Sequence, residues 1–208
     1  MFTKTDIFNI ALTALRLNYQ TTDADNDENK NVKALRSIYL PALSKVLDDL
    51  DLNRTASKVK LEERSITGKH PHWEFVYRYP ANCARFRKIV SPVPVDNRNT
   101  LIPSATETVG NALSILTNFQ DAYAEIIRTD IPLSSLNASA AFALGYQMAM
   151  LCPGLIVGKG STALRQDLQQ NYIIFKAEAK ESDLNENVDT TPDAFQSEFV
   201  QAMAGSVS

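Results

Sequence analysis

The sequence predicts a mainly α-helical protein of mixed α+β class, an antiparallel bundle of about four helices with a small antiparallel β-sheet inserted into it. Two patterns support this prediction. Apolar residues recur at helical spacing towards both ends of the 208-residue chain. Between them, aromatic residues occupy every second position of residues 73–79, the period of a strand. Residues 1–55 and 134–184 are therefore assigned to a helical body, residues 56–133 to an inserted β region, and residues 185–208 to an extended C-terminal tail.

The N-terminal part of the chain predicts two helices. The first follows a cap at Thr3 or Thr5, because apolar residues then recur at helical spacing through residue 15. The second runs from about Asn26 to Leu50, and its start lies near a run of carboxylates that suits a helix N-terminus. Pro41 lies inside this second helix, where a missing N–H and a ring clash predict a kink or a split.

The β region shows the two-residue period in several short segments. Residues 58–64 alternate polar and apolar side chains, residues 73–79 carry the aromatic alternation, and residues 86–90 form a third segment. Residues 112–118 and 122–128 are predicted as two strands around a turn at residues 119–121. Together these segments predict one small antiparallel sheet with irregular connections.

Two further helices and a polar tail complete the chain. Residues 138–151 are small and apolar around most of the helix circumference, which indicates a helix buried on several sides. The last helix runs from Ser161 or Thr162 to about Leu184, with apolar residues at helical spacing that include Ile173. The tail after it carries Phe195 and Phe199 at i, i+4 spacing. We expect such a polar segment to be disordered alone, or ordered only against a partner.

Composition limits the functions that the chain can have. The formal net charge of −3 gives no reason to expect tight binding of duplex DNA over the whole surface. Residues 78–98 are nevertheless basic, which permits either a local surface for DNA or an acidic partner, or a strand edge protected by cations. Cys83 and Cys152 match no metal or redox spacing and are expected to be small buried groups in a reducing compartment. The chain lacks a signal-peptide layout and a membrane-length apolar run, so we expect a non-membrane protein made in the cytosol.

No motif predicts a catalytic, cofactor or metal site. Residues 154–162 resemble a phosphate loop only superficially, because the glycine spacing is too short and Gly160 separates Lys159 from Ser161. His70 and His72 flank a proline and have no cluster of cysteines or acids beside them. We therefore expect no catalytic residue, no cofactor and no metal.

The aromatic stripe of residues 73–79 allows two interpretations. It consists of Trp73, Phe75, Tyr77 and Tyr79, which share one face of an extended strand. With the nearby arginines, this face could stack the bases of a single-stranded nucleic acid. The favoured interpretation is the inner face of the β insert, packed on the helices.

Several segments follow one another in an order that is itself informative. The chain has Ile10-Ala11-Leu12-Thr13-Ala14-Leu15 and then a helix with Tyr39-Leu40-Pro41-Ala42-Leu43. An aromatic segment, Trp73-Glu74-Phe75-Val76-Tyr77-Arg78-Tyr79-Pro80-Ala81-Asn82-Cys83, comes next, and a strand with Tyr123-Ala124-Glu125-Ile126-Ile127-Arg128 and two C-terminal helices follow. This combination resembles the head-to-tail connector, or adaptor, proteins of tailed bacteriophages, the group of tail tubular protein A and the tail accessory factors. Asn82 departs from the pattern, since an aspartate is common there.

The resemblance implies a structural protein of the virion and not an enzyme. Such adaptors form a ring, commonly of about twelve copies, by head-to-tail contacts that close on themselves. The ring lies at the capsid-tail junction, beneath the portal protein, and contacts tail nozzle, tail tube or fibre proteins. Double-stranded DNA passes through its channel without sequence-specific binding. The virion would be assembled in the cytoplasm of a bacterial host.

The sequence also assigns residues to these expected contacts. Leu184, Val188, Phe195 and Phe199 are expected to bind the portal or a neighbouring subunit. Trp73, Tyr77, Tyr79 and Pro80 form the family-marker segment of the resemblance. Two alternatives from other classes remain open: a peptidoglycan hydrolase carried in the virion, and a single-stranded nucleic-acid binding module that uses the aromatic stripe.

Overall fold

A computed structural model of the chain describes residues 2–65, 70–91, 102–155 and 161–186. The helices are α1 (Lys4–Ala14), α2 (Lys30–Leu50), α3 (Ala138–Met150) and α4 (Ser161–Glu186). The strands are β1 (Ala56–Lys60), β2 (Phe75–Arg78), β3 (Cys83–Val90), β4 (Ser104–Val109), β5 (Ala112–Thr117) and β6 (Tyr123–Arg128). In the described ranges, no helix combines the length and the apolar character needed to cross a bilayer.

The predicted fold class, a helical bundle with one small inserted sheet, is wrong. The described residues form four helices and two three-stranded antiparallel sheets, with 48% helix and 22% strand, which is an α+β mixture and not clearly a helical bundle. The second sheet depends on β4, whose sequence SATETV is mainly polar and has no buried residue. The sequence of β4 shows no alternation of apolar and polar residues, so it gives no sign of a strand. The strand forms because its backbone hydrogen-bonds to β5.

The two sheets have the strand orders β1-β6-β3 and β2-β5-β4. The predicted turn at residues 119–121 therefore does not join two neighbouring strands, because β5 and β6 belong to different sheets. Isolated bridges between Ile89 and Ile102 and between Glu63 and Tyr77 link strands of one sheet to residues beside the other. A separate apolar core, which includes Leu61, Tyr77 and Ile115, fills the β region.

The first two helices begin and end where local chemistry allows. Thr3 caps α1 in a capping box, with the Asp6 backbone N–H donating to its hydroxyl and the Asp6 carboxylate accepting from its backbone. Asn29 caps α2, which therefore starts a turn later than predicted, and Asp51 ends it in the left-handed conformation at φ 53°. The helix runs on through the exposed Pro41, so the predicted split does not occur.

Helix α3 lies at the centre of the helical body, in contact with α1, α2 and α4. Eight of its residues are buried, as its small apolar composition predicts. At Gly145 the neighbouring helix α1 comes so close that an added Cβ would lie 2.4 Å from Ile10 Cγ2. The helical core that α3 organises also takes in Ile127 of β6, so the two parts of the molecule share a packed boundary.

Candidate partner-binding surfaces

The aromatic stripe lies inside the β region. Tyr77 is buried on β2, where its hydroxyl donates to the Phe119 carbonyl at 2.9 Å and accepts from the Ala122 N–H at 3.4 Å. Phe75 stacks beside it, with ring centroids 6.4 Å apart. Trp73, just before β2, is half-buried. Phe75, Tyr77 and Tyr79 therefore belong to the apolar core of the β region and not to that of the helices.

The turn after β2 is held by its own backbone. The Pro80 carbonyl accepts from the Cys83 N–H at 3.3 Å, and the Asn82 carbonyl accepts from the Thr129 N–H at 2.9 Å. The Cys83 thiol donates to the Tyr79 hydroxyl at 3.4 Å. Burial raises the pKa of Tyr79 far above its ordinary value and also raises the pKa of Cys83, so both groups stay neutral. Neutral, packed side chains here indicate a structural turn and not a reactive centre.

A groove of about 550 Å³ opens beside this turn, and we call it the marker groove. Its floor is apolar and its rim is polar. The floor consists of Val59, Leu61, Tyr79, Pro80 and Ile126, and the rim includes Lys60, Glu62, Arg78, Asn82 and Arg128. A concave apolar floor with a charged rim is the usual form of a site that takes one aromatic or aliphatic anchor.

The rim cations differ in their partners. Lys60 pairs with Asp121 at 3.0 Å, and both side chains are more than half exposed. Arg128 pairs with Asp130, and this pairing holds the pKa of Asp130 at about 2. Arg78 is exposed and has no ion-pair partner among the described residues. It is therefore the rim cation that is available to an anionic ligand.

The other cations of the basic stretch face the helical body. Arg87 donates from Nε to the Asp51 carboxylate at 2.7 Å and from Nη2 to the Asp51 carbonyl at 2.6 Å. Its Nη1 donates to Asn53 at 3.0 Å and to Glu125 at 3.1 Å. We call this group of four residues the clasp, because it ties β3 to the end of α2.

Two neighbouring cations are paired as well. Arg85 lies 3.6 Å from Asp51 and 3.9 Å from Asp48, and Lys88 lies 3.9 Å from Glu125. Most of the basic stretch is therefore neutralised within the chain, which leaves little of it to face DNA. Arg98, the last cation of the stretch, lies outside the described residues.

Helix α4 presents an apolar face to solvent. Its buried line is Leu168, Tyr172, Ala179 and Asp183. At 100° per residue, the opposite side carries Ala163, Gln166, Gln170, Ile173, Ile174, Ala177, Glu181 and Leu184, which we call the outer face of α4. Ile173, Ile174 and Leu184 are 56%, 51% and 65% exposed. A solvated helix face is normally charged, whereas this one has Glu181 as its single charged residue.

The predicted partner-binding residues are only partly placed. Leu184 lies on the outer face of α4, while Val188, Phe195 and Phe199 lie outside the described residues. Ile173, named above among the apolar residues at helical spacing, points away from the buried line because it lies 100° around the helix from buried Tyr172. Ile174 was not singled out at all. The sequence does contain a signal for this exposed face: Ile173 and Ile174 are adjacent, so they lie 100° apart and cannot both lie on the narrow buried side of the helix.

A second groove, of about 670 Å³, lies between α1 and α3. Its apolar lining includes Phe2, Ile10, Phe142 and Tyr146, and polar residues such as Asp6 border it. Phe142 continues this lining towards α4 by stacking on Phe175 with ring centroids 5.0 Å apart. Among the described residues, the helical body thus carries a convex apolar helix face and a concave groove with a partly apolar lining.

The histidines form no metal site in the described part of the chain. The His72 N–H donates to His70 Nδ1 at 3.3 Å, and His70 Nε2 lies 3.5 Å from Glu107. No group of three or more potential ligands from histidine, cysteine, aspartate and glutamate occurs among the described residues.

No family model matches the sequence, and no curated protein matches it either.

Proposed function

We propose that this chain is a structural virion protein, a ring-forming adaptor that joins the portal to the tail at the capsid-tail junction. It acts without catalysis and extends the channel through which double-stranded DNA passes. The proposal rests on the ordered resemblance described above, which covers residues from Ile10 to the C-terminal helices. One structural observation favours it most: the outer face of α4, an exposed apolar helix surface directly ahead of the C-terminal tail.

Ring assembly requires two different surfaces on each copy. A head-to-tail contact joins one patch to a second, unlike patch on the next copy, and it closes into a ring if the rotation allows. The outer face of α4 is convex and exposes Ile173, Ile174 and Leu184, and the groove between α1 and α3 is concave with an aromatic and aliphatic part to its lining. These two surfaces are the proposed halves of the contact between neighbouring subunits.

The electrostatics suit a channel through which DNA slides. The free energy of DNA binding grows with the number of phosphate contacts, so a channel through which DNA slides should avoid many free cations. Here Arg87 is held in the clasp, and Arg85 and Lys88 are paired with carboxylates. The net charge of −3 also disfavours strong binding of the chain to DNA phosphates.

The proposal predicts that one added charge on the outer face of α4 prevents ring formation. Ile173→Glu is the test, because an apolar contact cannot bury an unpaired carboxylate without a large cost. Gln169→Glu is the matched control, since it adds the same charge to an exposed position of α4 that lies off this face. Native mass spectrometry and electron microscopy with the portal protein should show rings for the control and not for Ile173→Glu. Rings from both variants would contradict the assignment of the face.

A second experiment tests the tail. Phe195→Ala combined with Phe199→Ala should leave the chain folded and weaken its docking on the portal, because buried aromatic anchors dominate such contacts. Gln196→Ala combined with Gln201→Ala changes the same segment without removing an aromatic ring. If the double phenylalanine variant binds the portal as well as wild type does, the role given to the tail is wrong.

A further inference from the structure

The C-terminal end of α4 is fixed at the base of the β region. The buried carboxylate of Asp183 accepts from the backbone N–H of Asn53 at 2.8 Å and from that of Arg54 at 3.4 Å. One turn later, Glu186 lies 3.5 Å from Arg54. Since β1 starts two residues after Arg54, the chain leaves α4 beside the first residue of that strand.

The marker groove lies within reach of this exit point. Its floor includes Val59 and Leu61, which follow Arg54 by five and seven residues. At a strand rise of about 3.3 Å per residue, the distance along β1 is roughly 17–23 Å. Phe195 follows Glu186 by nine residues, which span up to about 30 Å when extended. The first phenylalanine after α4 can therefore enter the groove of its own chain.

The chemistry of the segment matches that of the groove. Residues 187–208 contain Asp189, Asp193 and Glu198 and no lysine or arginine, with two phenylalanines among them. The groove provides an apolar floor for a ring, and the unpaired Arg78 on its rim suits a carboxylate. Glu62 is the one carboxylate among the lining residues of the groove. The other two rim cations, Lys60 and Arg128, already have carboxylate partners in Asp121 and Asp130.

We propose that residues 187–208 dock on their own chain, with Phe195 in the marker groove and an acidic neighbour, Asp193 or Glu198, on Arg78. A short tether gives the segment an effective concentration of about a millimolar, so a weak contact is enough to keep it docked. This inference goes beyond the proposed function and does not depend on it. In an adaptor, however, the portal would have to displace the docked segment.

Photocrosslinking in the full-length chain tests the proposal without any partner present. Gln196 is replaced by p-benzoylphenylalanine, which leaves both phenylalanines in place. The expected products are intramolecular adducts to residues 59–62 or 78–82, at the mass of one chain, with a yield that is unchanged over about a hundredfold dilution. In the same background, Phe195→Ala should lower the yield about tenfold, the effect of losing one buried aromatic side chain.

Charge variants test the role of the rim. Arg78→Glu should lower the yield by about threefold, because an exposed ion pair is replaced by repulsion. Lys30→Glu is the matched control, at the far end of α2, and should leave the yield unchanged. Each variant is checked for unchanged circular dichroism.

Hydrogen exchange gives an independent readout of the same contact. In the chain with native Gln196, Phe195→Ala should speed exchange of the amides of residues 59–62 and 79–83. Adducts mainly at the mass of two chains, adducts on other surfaces, or equal yields from Arg78→Glu and wild type would each overturn the proposal. None of these results would bear on ring formation with the portal, so failure of this inference is distinguishable from failure of the proposed function.

Discussion

Replacing Arg87 with methionine removes the clasp between the helical body and the β region while it keeps the apolar stem of the side chain. The arginine side chain is 14% exposed and makes four hydrogen bonds to Asp51, Asn53 and Glu125. A planar guanidinium can reach all of these acceptors at once, which an ammonium cannot. We therefore expect the largest loss of stability of any charge deletion in the basic stretch.

The expected magnitude follows from what the variant leaves behind. Removing one partner of a fully buried ion pair costs about 3–5 kcal/mol, because the other charge stays buried and unpaired. Here Asp51 and Glu125 are 31% and 17% exposed, and Arg85 and Lys88 remain within 4 Å of them. Partial solvation and these second partners reduce the cost, so we expect Arg87→Met to lower the free energy of unfolding by about 2–3 kcal/mol.

Urea unfolding measures this loss by two probes. Far-UV circular dichroism reports mainly the helices, and fluorescence reports Trp73, just before β2 in the β region. Arg85→Met is the matched control: its side chain is 45% exposed, with ion pairs at 3.6 and 3.9 Å, and should cost no more than about 1 kcal/mol. The reasoning is refuted if Arg87→Met lies within about 0.5 kcal/mol of wild type or of this control.

Two further predictions concern the helical body. Gly145→Ala should lower the free energy of unfolding in urea by about 1–3 kcal/mol, because the added Cβ would lie 2.4 Å from Ile10 Cγ2. Gly154→Ala is the control and should be neutral, since there is open space around Gly154, and equal effects of the two variants would contradict the prediction. The Tyr172 hydroxyl donates to Asp49 at 2.7 Å, and burial raises the pKa of Tyr172 above its ordinary value. The phenol therefore ionises at lower pH in the unfolded chain than in the folded one. The stabilisation that Tyr172 gives is complete below about pH 10 and is lost as the pH rises through the raised pKa. Tyr172→Phe should therefore lose stability less steeply above about pH 10, and parallel urea midpoints over a pH series would contradict it.

Local patterns in the sequence predict the parts of the fold that local chemistry decides. The cap at Thr3 and the apolar spacing after it suffice for α1, because both operate within one helix. The alternation around Tyr77 likewise predicts β2. Residue pairing across the chain is a different matter. The assignment of β5 and β6 to separate sheets depends on contacts with distant strands, which no local pattern contains.

The candidate surfaces were predictable to a smaller extent for the same reason. A basic stretch in a sequence does not reveal where its partners lie, so the pairing of Arg87 with Asp51 and Glu125 becomes visible only in the folded chain. Helical geometry alone places Ile173 about 100° from its neighbour Tyr172, so the two side chains cannot lie on the same line of the helix. Exposed apolar residues on a helix become informative only once the buried line of that helix is known.

Electron microscopy of the purified chain mixed with the portal protein tests the central claim most directly. The adaptor function predicts a closed ring of this chain stacked coaxially on the portal, with α4 at the contact between neighbouring copies. A chain that stays monomeric in this mixture, with no density added to the portal, would contradict it.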